Sequence, residues 1–309
     1  MKNILVTGGT VFVSKMVAKY FASEKFNNKY KVYVLNRNNH SQVENVKLLN
    51  SSRENLGDKL EKYNFDTIID ITSYTKNDVK FILDSLGNSI NNLSEYILLS
   101  SSAVYPETLN LPFKESDEVG KNIFWNDYGL NKIEAEKYLL ENFERCYILR
   151  PPYLYGPENN IYRESFIFDC AEQNRKFYIP ENKEMKLQFF YIEDLCKVIE
   201  NILLNKPKEK IFNVGNENCV SIYDWVKLCY EVVGKNVEFV NVNKEINQRN
   251  YFCFYDYEYY LDVTKQKSLL VKTTDFKLGL QKSYEWYKND KEKVNRKNYF
   301  EFIDKELCW

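Results

Sequence analysis

The chain has 309 residues, 44% of them hydrophobic, which is enough to bury one full-sized domain with an appendage or two modest ones. Its 43 basic and 44 acidic residues leave a formal net charge of −1, so the overall charge draws it neither to nucleic acid nor to an anionic membrane. The single histidine, His40, sits in a polar loop; this excludes a zinc site of several His ligands, argues against a Ser-His-Asp hydrolase, and leaves no metal expected.

The first half alternates between two periodicities. Ile4-Leu5-Val6 is a short apolar run ending in Thr7-Gly8-Gly9, as expected of a buried parallel strand. It is too short for a signal peptide, and no run reaches the roughly eighteen apolar residues of a membrane span, so a soluble cytoplasmic protein is expected. Helical spacing follows from Phe12 to about Phe26, then a strand at Val32-Tyr33-Val34-Leu35. A short helix is expected at 56–63, a strand at 67–71, a helix at 79–86 and a strand at 96–99. A strong helix spans 128–143 and a strand 147–149. Strand–helix alternation of this kind predicts an α/β fold, a doubly wound parallel sheet with right-handed crossovers. Residues 1–150 read as a dinucleotide-binding domain. Residues 151–309 read as a smaller, interleaved α/β subdomain for substrate, with helices near 163–174, 193–205, 221–233 and 279–290. The aromatic stretch 251–257 reads as core or interface, and the seven cysteines, with no C-x-x-C pair, as reduced core thiols.

The turn after the first strand, Thr7-Gly8-Gly9-Thr10-Val11-Phe12-Val13, runs straight into a helix. Backbone N–H groups and the positive end of a helix dipole gather there, which suits a pyrophosphate. Val11 and Ser14 stand where this fold usually spaces its second and third glycines, and Val11 is expected to be strained if the backbone there needs a positive φ. The second strand ends in Asn36-Arg37. Asn36 can bond a ribose hydroxyl without repelling a phosphate, and Arg37 can pair with a 2′-phosphate. NAD or NADP is therefore the expected cofactor, with a lean to NADP.

Tyr128 and Lys132 stand four apart on a predicted helix and share a face. The same spacing recurs at Tyr223–Lys227, Tyr284–Lys288 and Tyr287–Lys291, but only Tyr128–Lys132 lies between two predicted core strands and follows a strand ending in Ser100-Ser101-Ser102. A free phenol, with a pKa of about 10, is a poor base near neutrality. A neighbouring ammonium and a positive nicotinamide ring lower it. Ser101 is placed to orient a substrate hydroxyl, Tyr128 to exchange its proton, and Lys132 to support the phenolate and hold the nicotinamide ribose.

Several segments resemble the extended short-chain dehydrogenase/reductase family, in particular its NAD-dependent epimerase/dehydratase branch. Thr7-Gly8-Gly9 resembles the cofactor turn, Ser100-Ser101-Ser102-Ala103-Val104-Tyr105 the catalytic serine segment, and Tyr128-Gly129-Leu130-Asn131-Lys132 the catalytic helix. Leu149-Arg150-Pro151-Pro152-Tyr153-Leu154-Tyr155-Gly156-Pro157 resembles the entrance to the substrate domain, and 189–195 and 212–215 two later landmarks. The resemblance implies an NAD(P)-dependent epimerase or oxidoreductase acting on a hydroxyl of a sugar or nucleotide sugar. It also implies a homodimer through the helices near 76–87 and 128–143, and substrate contacts from Ser102, Tyr153, Arg163, Gln188 and Arg249. Ser102-Ala103 replace the Asp-Glu of family dehydratases, so dehydration is not expected; Tyr153 replaces the Asn that helps epimerases bind the diphosphate. A side branch of the family shares Gly-Gly-Thr followed by a non-glycine residue and Phe, and some of its members resemble RNA-associated proteins. The alternative is accordingly a Rossmann scaffold with a decayed cofactor site that contacts RNA or the ribosome.

Overall fold

The computed structural model describes residues 1–308. Its strands are β1 (Lys2–Thr7), β2 (Tyr30–Asn36), β3 (Val46–Asn50), β4 (Thr67–Asp70), β5 (Glu95–Leu99), β6 (Cys146–Arg150), β7 (Tyr153–Tyr155), β8 (Phe177–Pro180), β9 (Lys186–Leu187), β10 (Phe189–Tyr191), β11 (Ile211–Asn213), β12 (Val220–Ser221) and β13 (Phe239–Val242). Its helices are α1 (Phe12–Phe21), α2 (Lys76–Ser85), α3 (Asp127–Asn142), α4 (Glu164–Glu172), α5 (Ile192–Asn205), α6 (Ile222–Val233), α7 (Phe276–Asn289) and the short α8 (Tyr299–Phe302).

Seven strands form one parallel sheet in the order β3-β2-β1-β4-β5-β6-β11. The order reverses between β1 and β4, which opens a crevice at the carboxyl ends of those strands. Both faces of the sheet are covered, so Ile4, Leu5, Val6, Ile68, Ile69, Ile97 and Leu98 are all buried and the central strands read as unbroken apolar runs. The edge strand β3 has no such signature. Lys47 and Asn50 are exposed and its other residues half-buried, and the sequence gives no hint of it.

Local chemistry sets several ends. Thr75 and Asp78 form a reciprocal capping box at the start of α2. The short helix expected at 56–63 is a series of turns with one 3-10 turn, Glu61–Tyr63. Leu56 and Leu60 are buried at helical spacing, but Gly57 between them takes φ +54° and interrupts the helix. α1 stops at Phe21, and the buried Phe26 follows on a separate 3-10 turn.

The second half returns to the first. β11 extends the sheet beside β6, and α5 lies against α1, where Lys25 pairs with Glu200 at 2.8 Å and the Tyr20 hydroxyl donates to the same carboxylate. The rest of this half is held by aromatic packing: Phe189 stacks on Trp225 at 3.7 Å, and Tyr251, Phe252 and Phe254 are buried in the same core. Five cysteines are buried thiols, but Cys219 is half-buried and Cys308 exposed. Among the described residues no helix is long and apolar enough to cross a membrane.

Candidate active site

The chain leaves β1 through Gly8, at φ +90°. A Cβ there would lie 2.6 Å from the Ser14 hydroxyl oxygen, so the turn needs glycine for conformation and for space. The expected strain at Val11 is absent. Val11 is extended, at φ −132°, and the positive φ falls one residue later, at Phe12, at +33°. Ser14 fits beneath the turn and donates to the Val11 carbonyl at 3.0 Å. α1 begins with no side-chain cap and no acidic residue in its first turn, which leaves its first N–H groups available to an anion.

A cavity of about 410 Å³ opens beside this turn, lined among others by Thr7, Gly8, Thr10, Asn36, Arg37 and Arg53. Gly9 does not line it; its α-carbon packs under Val34. Asn36 is at the expected place, but its amide is already engaged, donating to the Gly8 carbonyl at 2.7 Å and to Gln42 at 2.9 Å. It ties β2 to the glycine turn. His40 is exposed at the rim. Arg53, which sequence reasoning missed, donates to Asp70 and to the Thr72 hydroxyl at 2.8 Å each. Asp70 is wholly buried and also accepts from Thr7 at 2.7 Å and from the hydroxyls of Ser73 and Tyr96. Burial alone would raise its carboxyl, but the Arg53 guanidinium and these hydroxyls outweigh that and hold it at about 2.

A second cavity, of about 520 Å³, meets the first along Val11, Ser14, Thr72 and Tyr74. Phe12, Val13, Ser101, Tyr128 and Lys132 line it. The structure therefore brings the three residues of the expected catalytic set to one place. Lys132 is buried and donates to the carbonyls of Ser73 and Leu99, at 2.7 Å each. Its ammonium lies 5.0 Å from the centre of the Tyr74 ring and 5.9 Å from that of Tyr128. Burial lowers it to about 8, against the opposing pull of Asp70 and Glu136. Desolvation of the phenol pushes Tyr128 up to about 12, with the Ser101 hydroxyl acting the other way. Thr72 and Tyr74 were missed too; they follow the end of β4, where a doubly wound sheet presents side chains to a ligand.

Two contacts fix α3 against the catalytic strand. A Cβ on Gly129 would lie 2.3 Å from the Ala103 carbonyl oxygen, so the helix approaches the serine segment as closely as glycine permits. One turn past Lys132, Glu136 accepts from the Ser100 hydroxyl and pairs with Arg150 at 2.6 Å, and Arg150 donates to the Tyr105 hydroxyl at 2.8 Å.

The residues expected to touch substrate divide. Ser102, Tyr153 and Arg163 line the second cavity. Gln188 does not: it is buried and bonds the Asn216 carbonyl at 2.7 Å and the Leu261 N–H at 2.9 Å, clamping two loops together. Arg249 is also elsewhere, donating to the Phe252 carbonyl at 2.9 Å and lying over Tyr255, where it lines a separate hollow. Trp125 and Tyr259 complete the catalytic cavity. Both were missed: Trp125 lies three residues before Tyr128, in the turn that leads into α3, and Tyr259 carried no signal.

The sheet order and two joined cavities at the carboxyl edge are those of a Rossmann-type dinucleotide-binding protein. The model of the NAD dependent epimerase/dehydratase family matches residues 4–215, and the chain belongs to that family. Among curated proteins it is similar to the chloroplast stem-loop binding protein of 41 kDa b from Arabidopsis thaliana, 29% identical over 227 residues. That match covers 71% of this chain and 58% of the relative, so the chain spans less than two thirds of the relative's length. UDP-glucose 4-epimerase from Thermotoga maritima, solved with UDP-glucose, has a TM-score of 0.72 at 21% identity, covering 93% of this chain and 99% of that one. dTDP-glucose 4,6-dehydratase from Bacillus anthracis, solved with NAD, has a TM-score of 0.76 at 17% identity, covering 95% and 99%. These two establish a shared fold.

Proposed function

We propose that the protein is an NAD(P)-dependent epimerase or reductase acting on a hydroxyl of a sugar or nucleotide sugar. The observation that carries this reading is the convergence of Ser101, Tyr128 and Lys132 on a cavity continuous with the glycine turn. The uncapped start of α1 and Gly8 suit the pyrophosphate, and Arg37 lines the adenosine side. β2 ends in Asn36 and not in a carboxylate, which supports the lean to NADP, while Glu54, on the wall of the same cavity and within electrostatic reach of Arg37, opposes it.

When bound, an oxidised nicotinamide supplies the hydride acceptor and a positive charge that favours the phenolate. Ser101 then orients the substrate hydroxyl and Tyr128 accepts its proton. Lys132, held by two carbonyls, stabilises the phenolate electrostatically. In reduction Tyr128 would return the proton to the carbonyl oxygen, with the reduced nicotinamide as the source of the hydride that the carbonyl carbon regains on the same or the opposite face. A cytoplasmic homodimer through α2 and α3 belongs to the same proposal.

The test is to incubate the protein with NAD or NADP and a panel of sugars and nucleotide sugars. Nicotinamide absorbance and proton NMR of the sugar would be followed, with Tyr128→Phe as the control. Turnover lost in the variant supports the reading, and turnover equal in both proteins refutes it. The name of the Arabidopsis relative favours a second reading, a scaffold for RNA. Submicromolar, salt-sensitive binding of a stem-loop RNA, with no dinucleotide bound, would replace the first reading by the second.

A further inference from the structure

The segment that leaves β4 is wound around one buried carboxylate. Asp70 ends the strand and is wholly buried. It accepts from the Ser73 N–H at 3.2 Å and from the Ser73 hydroxyl, so the chain turns back over it within three residues. From β1, the Thr7 hydroxyl donates to Asp70 at 2.7 Å and accepts from the N–H groups of Ile71 and Thr72 at 2.9 and 3.1 Å. Asp78 accepts from the N–H groups of Tyr74 and Thr75 at 2.9 and 2.8 Å. Every N–H from Ile71 to Thr75 is thus held by a side chain, where an ordinary turn would use backbone carbonyls or water.

This segment is the seat of Lys132. The Ser73 carbonyl takes one of the ammonium's two hydrogen bonds, at 2.7 Å, and the Leu99 carbonyl takes the other. The Tyr74 ring lies 5.0 Å from the ammonium, nearer than the Tyr128 ring on α3. Neither acceptor carries a charge, and a buried ammonium held only by carbonyls depends on charges farther off. Asp70, Glu136 one turn along α3 and Asp78 on α2 favour the charged form, while Arg53 opposes it. Glu136 is engaged by Arg150 in a buried pair at 2.6 Å. Asp70 exerts the largest pull, and a single residue, Ser73, separates it from the ammonium. Asp70, Ser73 and Lys132 are all buried, so solvent screens that pull weakly. Arg53 reaches the same carboxylate at 2.8 Å from the wall of the dinucleotide cavity.

Resting on the catalytic reading above, we propose that Asp70 is a positioning residue of the active site: it shapes the turn that seats Lys132 and is the buried counter-charge of the ammonium. Asp70 lines neither cavity and acts through Lys132. Because Arg53 shares the carboxylate, removing either member of the Arg53–Asp70 pair leaves the other charge unopposed near Lys132, with opposite sign.

The test is carbon NMR of the lysine side chains in the full chain across pH, with the Lys132 signal assigned by its loss in Lys132→Met. In the unmodified protein Lys132 should titrate near pH 8. Asp70→Asn should weaken proton binding at Lys132 by at least about tenfold. Arg53→Gln breaks the same ion pair but leaves Asp70 held by three hydroxyls, and should strengthen proton binding. An ion pair with a merely structural role would move both variants the same way or neither, and either result overturns the proposal. If Asp70→Asn does not fold, Arg53→Gln still reports the sign. A neutral Lys132 at pH 7 in the unmodified protein overturns the proposal with no variant at all. In turnover of a sugar panel, the alkaline limb of kcat/KM should move to lower pH in Asp70→Asn and to higher pH in Arg53→Gln. The titrations need no substrate, so the expected titrations without turnover of any sugar would refute the catalytic reading and not the counter-charge.

Discussion

The Lys132 ammonium donates at 2.7 Å to the carbonyl of Leu99, two residues before Ser101, so the lysine on α3 is anchored to the strand that delivers the serine. The anchor sets the ammonium 5.9 Å from the centre of the Tyr128 ring, one turn back on the same helix. In the proposed mechanism the phenol exchanges the proton with the substrate hydroxyl. Tyr128→Phe should therefore lower kcat by about 10²–10⁴-fold. Because residue 128 is 38% exposed as a whole and its ring keeps the packing against Tyr74, the melting temperature should change little. Steady-state kinetics and circular dichroism on the same preparation check both halves.

Lys132 should make stability depend on alkaline pH. Its folded-state pKa, about 8, lies below the ordinary lysine value near 10.5. Between those values the unfolded chain binds the proton more strongly, so stability rises with pH across that window. The gain is on the order of 3 kcal/mol at most, since one pKa unit is about 1.4 kcal/mol. Lys132→Met should lack this rise. Urea unfolding of both proteins from pH 7 to 10 makes the comparison; parallel curves would show that the buried ammonium is not destabilised.

Asp70 has the opposite sign. Its carboxyl is depressed to about 2, so its contribution is complete above the ordinary carboxyl range and is lost as pH falls from about 4 towards 2. Asp70→Asn leaves the partly buried Arg53 with Asp78, 3.9 Å away, as its remaining carboxylate, and should cost about 1–3 kcal/mol at pH 7. The difference between variant and parent should shrink in acid. The same change loosens Thr7 and Thr72, so dinucleotide affinity should fall with it.

Gly129→Ala tests how closely α3 must approach the serine segment. Its methyl group would lie 2.3 Å from the Ala103 carbonyl oxygen, so helix and strand must separate. Activity should fall at least about tenfold and stability by about 1–3 kcal/mol. Dinucleotide affinity should fall less than activity, because the glycine turn that receives the pyrophosphate leads into α1 and not α3.

Much of this was legible in the sequence because parallel strands covered on both faces are continuous apolar runs. The strands from Ile4, Val32, Ile68 and Tyr96 could be read directly, and Ser101, Tyr128 and Lys132 followed from strand-end and helix-face arguments. What escaped depended on contacts distant in sequence. The edge strand Val46–Asn50 is half-exposed and has no clear period. Arg53 owes its role to Asp70, which lies beside it only once β4 has joined the sheet. Gln188 and Arg249 were misassigned because chain position places them near the cleft, while their hydrogen bonds direct them to loop carbonyls. Val11 was expected to be strained from the glycine spacing of the fold, but the backbone moves the positive φ to Phe12.

In the proposed mechanism the turn at Gly8 holds a nicotinamide dinucleotide beside Tyr128. Calorimetric titration of the purified protein with NAD and NADP, together with mass spectrometry of any ligand released on denaturation, tests it most directly. One of the two should bind with a Kd below about 100 μM, and Gly8→Ala should weaken it by at least about tenfold. An unmodified protein that carries no dinucleotide and binds neither at millimolar concentration would contradict it.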